Sequence, residues 1–354
     1  PILLVLDLTM PHLSGQTLLE AVTADHPDVP VIVMTATNDL DTAVQCMRMG
    51  AIDYLVKPVE SNRLVSAVRR ALEIRALRAE VLSLKDSLLA AAPHDREAFA
   101  EIVTQSEKMA AIFRYVEAVA PSPQPVLVTG ETGTGKELIA RALHRLSGRT
   151  GEFVAVNVAG LDDTVFADTL FGHARGAFTG AVRARDGLIT GAADGTLFLD
   201  EIGDLSAPSQ VKLLRLLQEG TYYPLGVDRP RQCRARIVVA TNYDVAERVK
   251  AGSFRKDLYY RLRTHHLHLT PLRERLEDIP PLVNHLVEKA AEALRKPPPT
   301  PPLELYRLLK TYGFPGNVRE LEAMIFDAVA LHQGGTLSLH SFKAAMGAGP
   351  LLAE

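Results

Sequence analysis

The chain is poor in the residues that staple or anchor a protein. Among its 354 residues there are two cysteines, Cys46 and Cys233, and no tryptophan. Two widely separated cysteines fit neither a disulfide scaffold nor the paired spacing of a structural zinc site, and they point to a reducing compartment. No apolar run reaches the 18 residues needed to span a bilayer, and no basic-then-apolar leader opens the chain, so a cytoplasmic protein without a membrane partner is expected. The net charge of −3 supplies no basic surplus that would draw the whole molecule to nucleic acid. What is abundant is apolar character: 47% of residues are hydrophobic, in a chain long enough for more than one core.

The most informative stretch is Gly130, Glu131, Thr132, Gly133, Thr134, Gly135 and Lys136, which follows the apolar run from Pro125 and precedes a helix-like segment from Glu137 to Leu146. Strand, glycine-rich turn and helix in that order form a phosphate cradle, with backbone N–H groups receiving the anion and the lysine reaching its terminal phosphates. ATP is the expected ligand. Glu137 stands where the common phosphate loop has Ser or Thr on magnesium. A second acidic motif is therefore required, and residues 195–201 supply it, a short apolar strand ending in Asp200 and Glu201. On an extended chain these neighbours point in different directions, so Asp200 can organise Mg2+ while Glu201 polarises water.

Two further strand-like runs, Phe153–Asn157 and Arg236–Asn242, each end in an asparagine, either a buried turn-former or an amide able to orient water or contact the γ-phosphate without adding charge. Arg255 and Arg261 lie six residues apart and are candidates to reach the γ-phosphate of a neighbouring subunit, although isolated arginines ordinarily form surface salt bridges. After Pro271 helical periodicity takes over, with segments expected at Ile279–Leu294, Leu303–Thr311 and Asn317–Leu331. Arg319 falls in the first turn of the last, where the helix dipole disfavours a cation; a bound phosphate would offset that cost, and an ordinary surface arginine is the alternative.

The first 75 residues alternate strand and helix, with strands expected at Leu3–Leu6, Val29–Met34 and Asp53–Val56 and helices at Gln16–Ala24, Asp39–Met49 and Asn62–Ile74. Asp7, Thr35 and Lys57 sit at the three strand ends, where parallel sheets hold their ligands. A carboxylate, a hydroxyl and an ammonium gathered there are equipped to accept and stabilise a phosphoryl group. Between the domains Ile74, Leu77, Val81, Leu84 and Leu88 recur at spacings of three and four, a seam suited either to a coiled coil with a second subunit or to packing on a neighbouring domain.

Two resemblances follow from these residues. Residues 1–73 resemble a response-regulator receiver domain, with Asp7 matching the phosphoacceptor, Thr35 the switch hydroxyl and Lys57 the phosphate-sensing lysine. That family's opening strand, first helix and magnesium-holding acidic pair would precede Pro1, which leaves phosphorylation of Asp7 open. Residues 104–345 resemble the AAA+ domain of bacterial enhancer-binding proteins, the nitrogen regulatory protein C-like activators of sigma-54 RNA polymerase. The most specific motif is Gly176, Ala177, Phe178, Thr179, Gly180 and Ala181, matching that family's sigma-contacting loop.

The expected fold class is α/β. A partial receiver sheet (1–73) precedes a helical linker (74–95), an AAA+ ATPase subdomain (96–272), a helical lid (273–345) and a tail (346–354). The resemblance casts Asn157 as the residue coupling Glu201 to nucleotide state, Asn242 as sensor I, Arg255 and Arg261 as the arginine-finger pair and Arg319 as sensor II; Glu137 matches a glutamate of the family. It implies a homo-oligomer, dimeric when inactive and a ring of six or seven when active. The implied partners are sigma-54 holoenzyme and a sensor histidine kinase. Basic residues are sparse near Phe342–Met346, and no sequence-specific DNA binding is expected from the residues present. A remodelling ATPase of the same fold with another target, or a phosphorylation-controlled adaptor without catalysis, are the competing classes. The first would hydrolyse ATP without needing Phe178 for sigma-54, and the second would turn over no nucleotide.

Overall fold

The computed structural model describes residues 3–8, 10, 14–25, 29–35, 45–47, 49–61, 63–69, 71–72 and 95–347. The chain divides into two units, Pro1–Ala90 and Ala91–Glu354. The leucine seam at 74–88, the predicted linker up to residue 94 and the tail beyond residue 347 lie outside the described residues, as does most of the predicted Asp39–Met49 helix.

In the first unit three parallel strands, β1 (Leu4–Asp7), β2 (Val31–Thr35) and β3 (Asp53–Val56), stand in the order β1-β2-β3. Val31, Ile32 and Val33 are all buried because β2 is central and both its faces are covered: Val31 and Val33 pack with Leu6, Leu19 and Cys46, Ile32 with Leu55, Ala67 and Ala71. The central strand starts two residues later than predicted. Pro30 has no N–H for the ladder and contributes only its carbonyl, which accepts the Leu4 N–H.

The second unit is built on a five-stranded sheet of β4 (Val126–Thr129), β5 (Phe153–Asn157), β8 (Thr196–Asp200), β11 (Arg236–Thr241) and β12 (His265–His268). Its order is β12-β4-β11-β8-β5, and every pairing is parallel. Parallel pairing puts all the C-terminal strand ends on one edge, and β11 inserts between β4 and β8, so Asn242 emerges between the phosphate loop and Asp200. Every residue of β11 is buried. Arg236, at its start, spans the layer to the helix Glu107–Val119 and donates to the carbonyls of Val119 and Ala120 at the helix C-terminus, at 2.9 and 2.5 Å.

Two antiparallel hairpins project from this core, β6 (Gly172–His173) with β7 (Arg185–Asp186), and β9 (Thr221–Tyr222) with β10 (Arg231–Gln232). The last four helices, Ile279–Leu294, Leu303–Leu309, Asn317–Leu331 and His340–Met346, close around their own core of Val283, Leu305, Leu309, Phe314, Ile325 and Phe342. The Leu303 helix stops two residues before its predicted end because Thr311 and Tyr312 bond three residues back, tightening the last turn. Among the described residues no helix is long and apolar enough to cross a membrane.

Candidate active site

The phosphate loop forms where the sequence expects it. β4 ends at Thr129, the helix Lys136–Leu146 begins at Lys136, and Gly130, Gly133 and Gly135 all have positive φ, at 152°, 78° and 100°. At Gly133 the requirement for glycine is also steric, since a Cβ would stand 2.1 Å from the Gly316 carbonyl oxygen. Lys136 is buried, and its Nζ donates to the carbonyls of Gly130 at 2.9 Å and Glu131 at 3.3 Å. Burial lowers its pKa, while the negative charges of Glu201 and Asp200 pull it back up.

One cavity of about 440 Å³ gathers Lys136, Asn157, Asp200, Glu201 and Arg319, with Val103 and Leu286 on its apolar wall. Asp200 Oδ1 accepts the Glu201 N–H at 3.0 Å, and Glu201 takes a left-handed backbone (φ 58°) that turns it away from its neighbour. Burial raises the Glu201 pKa; the Asn242 N–H, which donates to Glu201 Oε2 at 3.2 Å, and the Lys136 ammonium work against that rise. Asn242 Nδ2 also donates to Thr132 Oγ1 at 3.3 Å, tying β11 to the loop. Glu137 turns to Arg141, 2.6 Å away, in an ordinary pair one helical turn apart.

Other residues sit where spacing does not show. Asn157 lies opposite Asp200 in the β5–β8 register, yet its Oδ1 accepts the Ala159 N–H at 2.8 Å, and the backbone N–H on the Glu201 carboxylate comes from Asn242. Arg255 forks onto Asp257 at 3.0 and 2.7 Å, and Arg261 caps the carbonyl of Leu217 at 3.1 and 3.0 Å. Neither lines the cavity of its own chain. A smaller cavity of about 270 Å³ is lined by Gly130, Glu131 and Asn242 but by neither Lys136 nor Asp200, so the phosphate chemistry belongs to the larger one.

Sequence reading missed a group of lid residues that grip the loop. Arg273 forks onto Glu131 at 2.7 and 2.5 Å, and Asn317 Nδ2 donates to Glu131 Oε2 and to the Thr132 carbonyl, both at 3.0 Å. Arg275 and Asp278 are fully buried beside them. The one signal available was a run of buried-type positions bearing charge after Pro271.

Gly176–Ala181 forms the tip of the β6–β7 hairpin, closed by the Gly176 N–H donating to the Ala181 carbonyl at 2.8 Å. Gly176 and Gly180 have positive φ, 82° and 99°. Phe178 is 40% exposed, with its ring edge-on to His173 at 4.9 Å. His173 is itself held between Asp168 (2.5 Å) and the Arg183 carbonyl (2.9 Å). In the first unit Asp7, Thr35 and Lys57 occupy the C-terminal ends of β1, β2 and β3, and the Lys57 ammonium is paired with the Asp7 carboxylate.

These features define a receiver-type sheet followed by a P-loop domain of the AAA+ ATPase type with a helical lid. Residues 1–69 match the response regulator receiver domain, residues 102–268 the sigma-54 interaction domain and residues 273–350 the AAA+ ATPase lid domain. The regulatory protein AtoC of Escherichia coli is 40% identical over 336 residues, which are 94% of this chain and 72% of AtoC. LuxO of Vibrio vulnificus is 38% identical, over 96% of this chain and 73% of its own. The crystal structure of NtrX from Brucella abortus in complex with ATP, at 30% identity, matches with a TM-score of 0.65 over 98% of this chain and 75% of that one. The chain belongs to the family of sigma-54-dependent enhancer-binding response regulators.

Proposed function

We propose that the chain hydrolyses ATP to remodel the closed promoter complex of sigma-54 RNA polymerase, under control of its receiver unit. The observation that carries this reading is the single cavity on which the phosphate loop, Asp200, Glu201 and Arg319 open together. The donor set fits a nucleotide. Glycines with positive φ keep the loop free of side chains, Lys136 and Arg319 carry positive charge, and Val103 and Leu286 offer an apolar wall to a base. Bound with ATP, Mg2+ would be held by Asp200 and phosphate oxygens and would neutralise phosphate charge.

The chain's own residues then divide the work. Lys136 exchanges its loop carbonyls for phosphate oxygens. Glu201 orients the attacking water and takes its proton as the new bond to the γ-phosphorus forms and the bond from that phosphorus to the departing ADP oxygen breaks. Asn242, bonded to both Glu201 and Thr132, registers whether a terminal phosphate is present, and Asn157 beside Asp200 couples that state to Glu201. Arg255 and Arg261 are satisfied inside their own chain and do not line their own cavity, which supports a role on the neighbouring subunit of a ring of six or seven. The Gly176–Ala181 loop presents Phe178 and Thr179 to sigma-54. In the receiver unit Asp7 accepts phosphate from a sensor kinase, Lys57 stabilises it and Thr35 responds.

The test is ATP turnover against protein concentration, with assembly size measured in parallel, for the parent and Lys136→Ala. Turnover that rises with ring formation and vanishes in the variant is expected. Equal turnover by a monomer would remove the trans arginines, and none in any oligomer would remove the hydrolytic reading.

A further inference from the structure

The phosphate loop has an outer side, and the lid holds it. Three successive loop carbonyls accept hydrogen bonds from lid residues: Thr132 from Asn317 Nδ2 at 3.0 Å, Gly133 from the Val318 N–H at 3.1 Å, and Thr134 from Arg275 Nη2 at 3.3 Å. In a planar trans peptide the C=O of one residue and the N–H of the next point in opposite directions. Anchoring these carbonyls outward therefore turns the N–H groups of Gly133, Thr134 and Gly135 inward. The side they face is the lysine's, because the Thr134 N–H and Lys136 Nζ both approach the Glu131 carbonyl, at 3.4 and 3.3 Å.

The anchors are themselves fixed. Glu131 receives the Arg273 fork and Asn317 Nδ2, while Asn317 Oδ1 accepts the Leu272 N–H at 2.7 Å. Asn317 is wholly buried and has a left-handed backbone (φ 50°), a state asparagine adopts more readily than other non-glycine residues. Arg275 leans on Asp278 at 3.4 Å, and Asp278 also accepts from Thr104 Oγ1 (2.7 Å) and the Gln105 N–H (2.6 Å). Gly133 lies against the Gly316 carbonyl with no room for a Cβ, so loop and lid are in direct backbone contact.

We infer that Asn317, Arg273 and Arg275 are positioning residues for phosphate recognition. They act through the loop, holding its carbonyls outward so that its N–H groups converge on the anion, and Arg275 also stands in the cavity wall. The inference rests on the nucleotide reading above and adds a consequence. A lid displaced from the loop dismantles the cradle, so lid position and nucleotide affinity are reciprocally linked.

The test uses the full chain with Asn317→Asp, which sets a second carboxylate against Glu131 and the Thr132 carbonyl, and Arg273→Lys, which cannot fork. Calorimetric titration with ADP should show about a tenfold or greater weakening for Asn317→Asp, the size of one lost hydrogen bond to a charged group, and a smaller loss for Arg273→Lys. Amide exchange without nucleotide should accelerate at residues 131–135 in both variants, ahead of any global change. Parent-like ADP affinity and parent-like loop exchange in a folded variant would overturn the inference. Should Asn317→Asp fail to fold, the half-buried Arg273 decides the matter alone. Failure of the nucleotide reading is a different result, in which the parent binds no ADP or Lys136→Ala binds it equally well; loop exchange still tests the anchoring there.

Discussion

Replacing Glu201 by Gln separates its chemistry from its architecture. The substitution is isosteric, so an amide oxygen can still accept the Asn242 N–H that Glu201 Oε2 accepts at 3.2 Å, and Lys136, Asp200 and the loop keep their places. What is lost is a negative charge able to take a proton from water. Loss of a positioned base costs about 10²–10⁴ in rate. At 1.36 kcal/mol per decade that is about 3–5 kcal/mol of transition-state stabilisation. The fold responds with the opposite sign. Burial raises the Glu201 pKa, so the native state resists its ionised form: the penalty is absent below the ordinary glutamate range and fully present once pH exceeds the raised value. Glu201→Gln is therefore expected to melt higher than the parent near neutral pH and to lose that advantage in acid. The parent's turnover should fall, as pH is lowered, earlier than an ordinary glutamate would dictate. Steady-state phosphate release and melting curves across pH measure both. A Gln variant retaining more than about a tenth of parental turnover would refute the role of base, and one that melts lower at neutral pH would refute the burial argument.

Two further outcomes follow from particular contacts. Phe178→Ala should abolish capture of sigma-54 while leaving ATP turnover at the parental level, because the ring is 40% exposed and touches His173 at the hairpin, away from the cavity; a parallel loss of turnover would contradict that separation. Arg236→Met should destabilise the second unit by about 1–3 kcal/mol in urea unfolding, since two helix-terminal carbonyls lose their donor. The guanidinium is costly to bury, its pKa pushed down to about 10 and its Nε unpartnered, so a stabilised variant would show that desolvation outweighs capping here.

Contiguous chemistry was legible in the sequence and discontinuous chemistry was not. Gly130–Lys136 and Asp200–Glu201 announce themselves because strand, turn and charge follow each other along the chain, and the parallel order of the first unit is written in its strand-end residues. Arg319 was found through a dipole argument and does line the cavity. Strand order was hidden: nothing local says that β11 inserts between β4 and β8, and it is this insertion that brings Asn242 against both Glu201 and Thr132. The Glu131–Arg273 and Glu131–Asn317 bonds join positions 142 and 186 residues apart, beyond any periodicity. Asn157 was placed correctly by its strand, but its hydrogen-bond partner is set by the turn that follows.

The backbone leaving Glu201 is tied to the element that bears the Gly176–Ala181 loop through the Asp163 carboxylate. The segment leaving Glu201 runs through Ser206, which opens the helix Ala207–Glu219, and both Ser206 Oγ and Ser209 Oγ donate to Asp163 Oδ1. Lys212 Nζ, on the same helix, donates to the Asp163 carbonyl at 3.1 Å. Asp163 begins the helix Asp163–Phe171, which runs directly into β6 and the hairpin. On the proposed mechanism, a shift at Glu201 carried along residues 202–212 would act on the root of the helix that bears the loop. The serine hydroxyls hold the Asp163 pKa below its ordinary value, so the carboxylate is the charged acceptor of this joint. Asp163→Asn keeps the shape, weakens both hydroxyl bonds and leaves the cavity untouched. ATP turnover is expected to persist while sigma-54 capture no longer depends on which nucleotide is bound. Capture that still follows the nucleotide in this variant would show that the coupling takes another route, through Asn157 and the turn at 158–162.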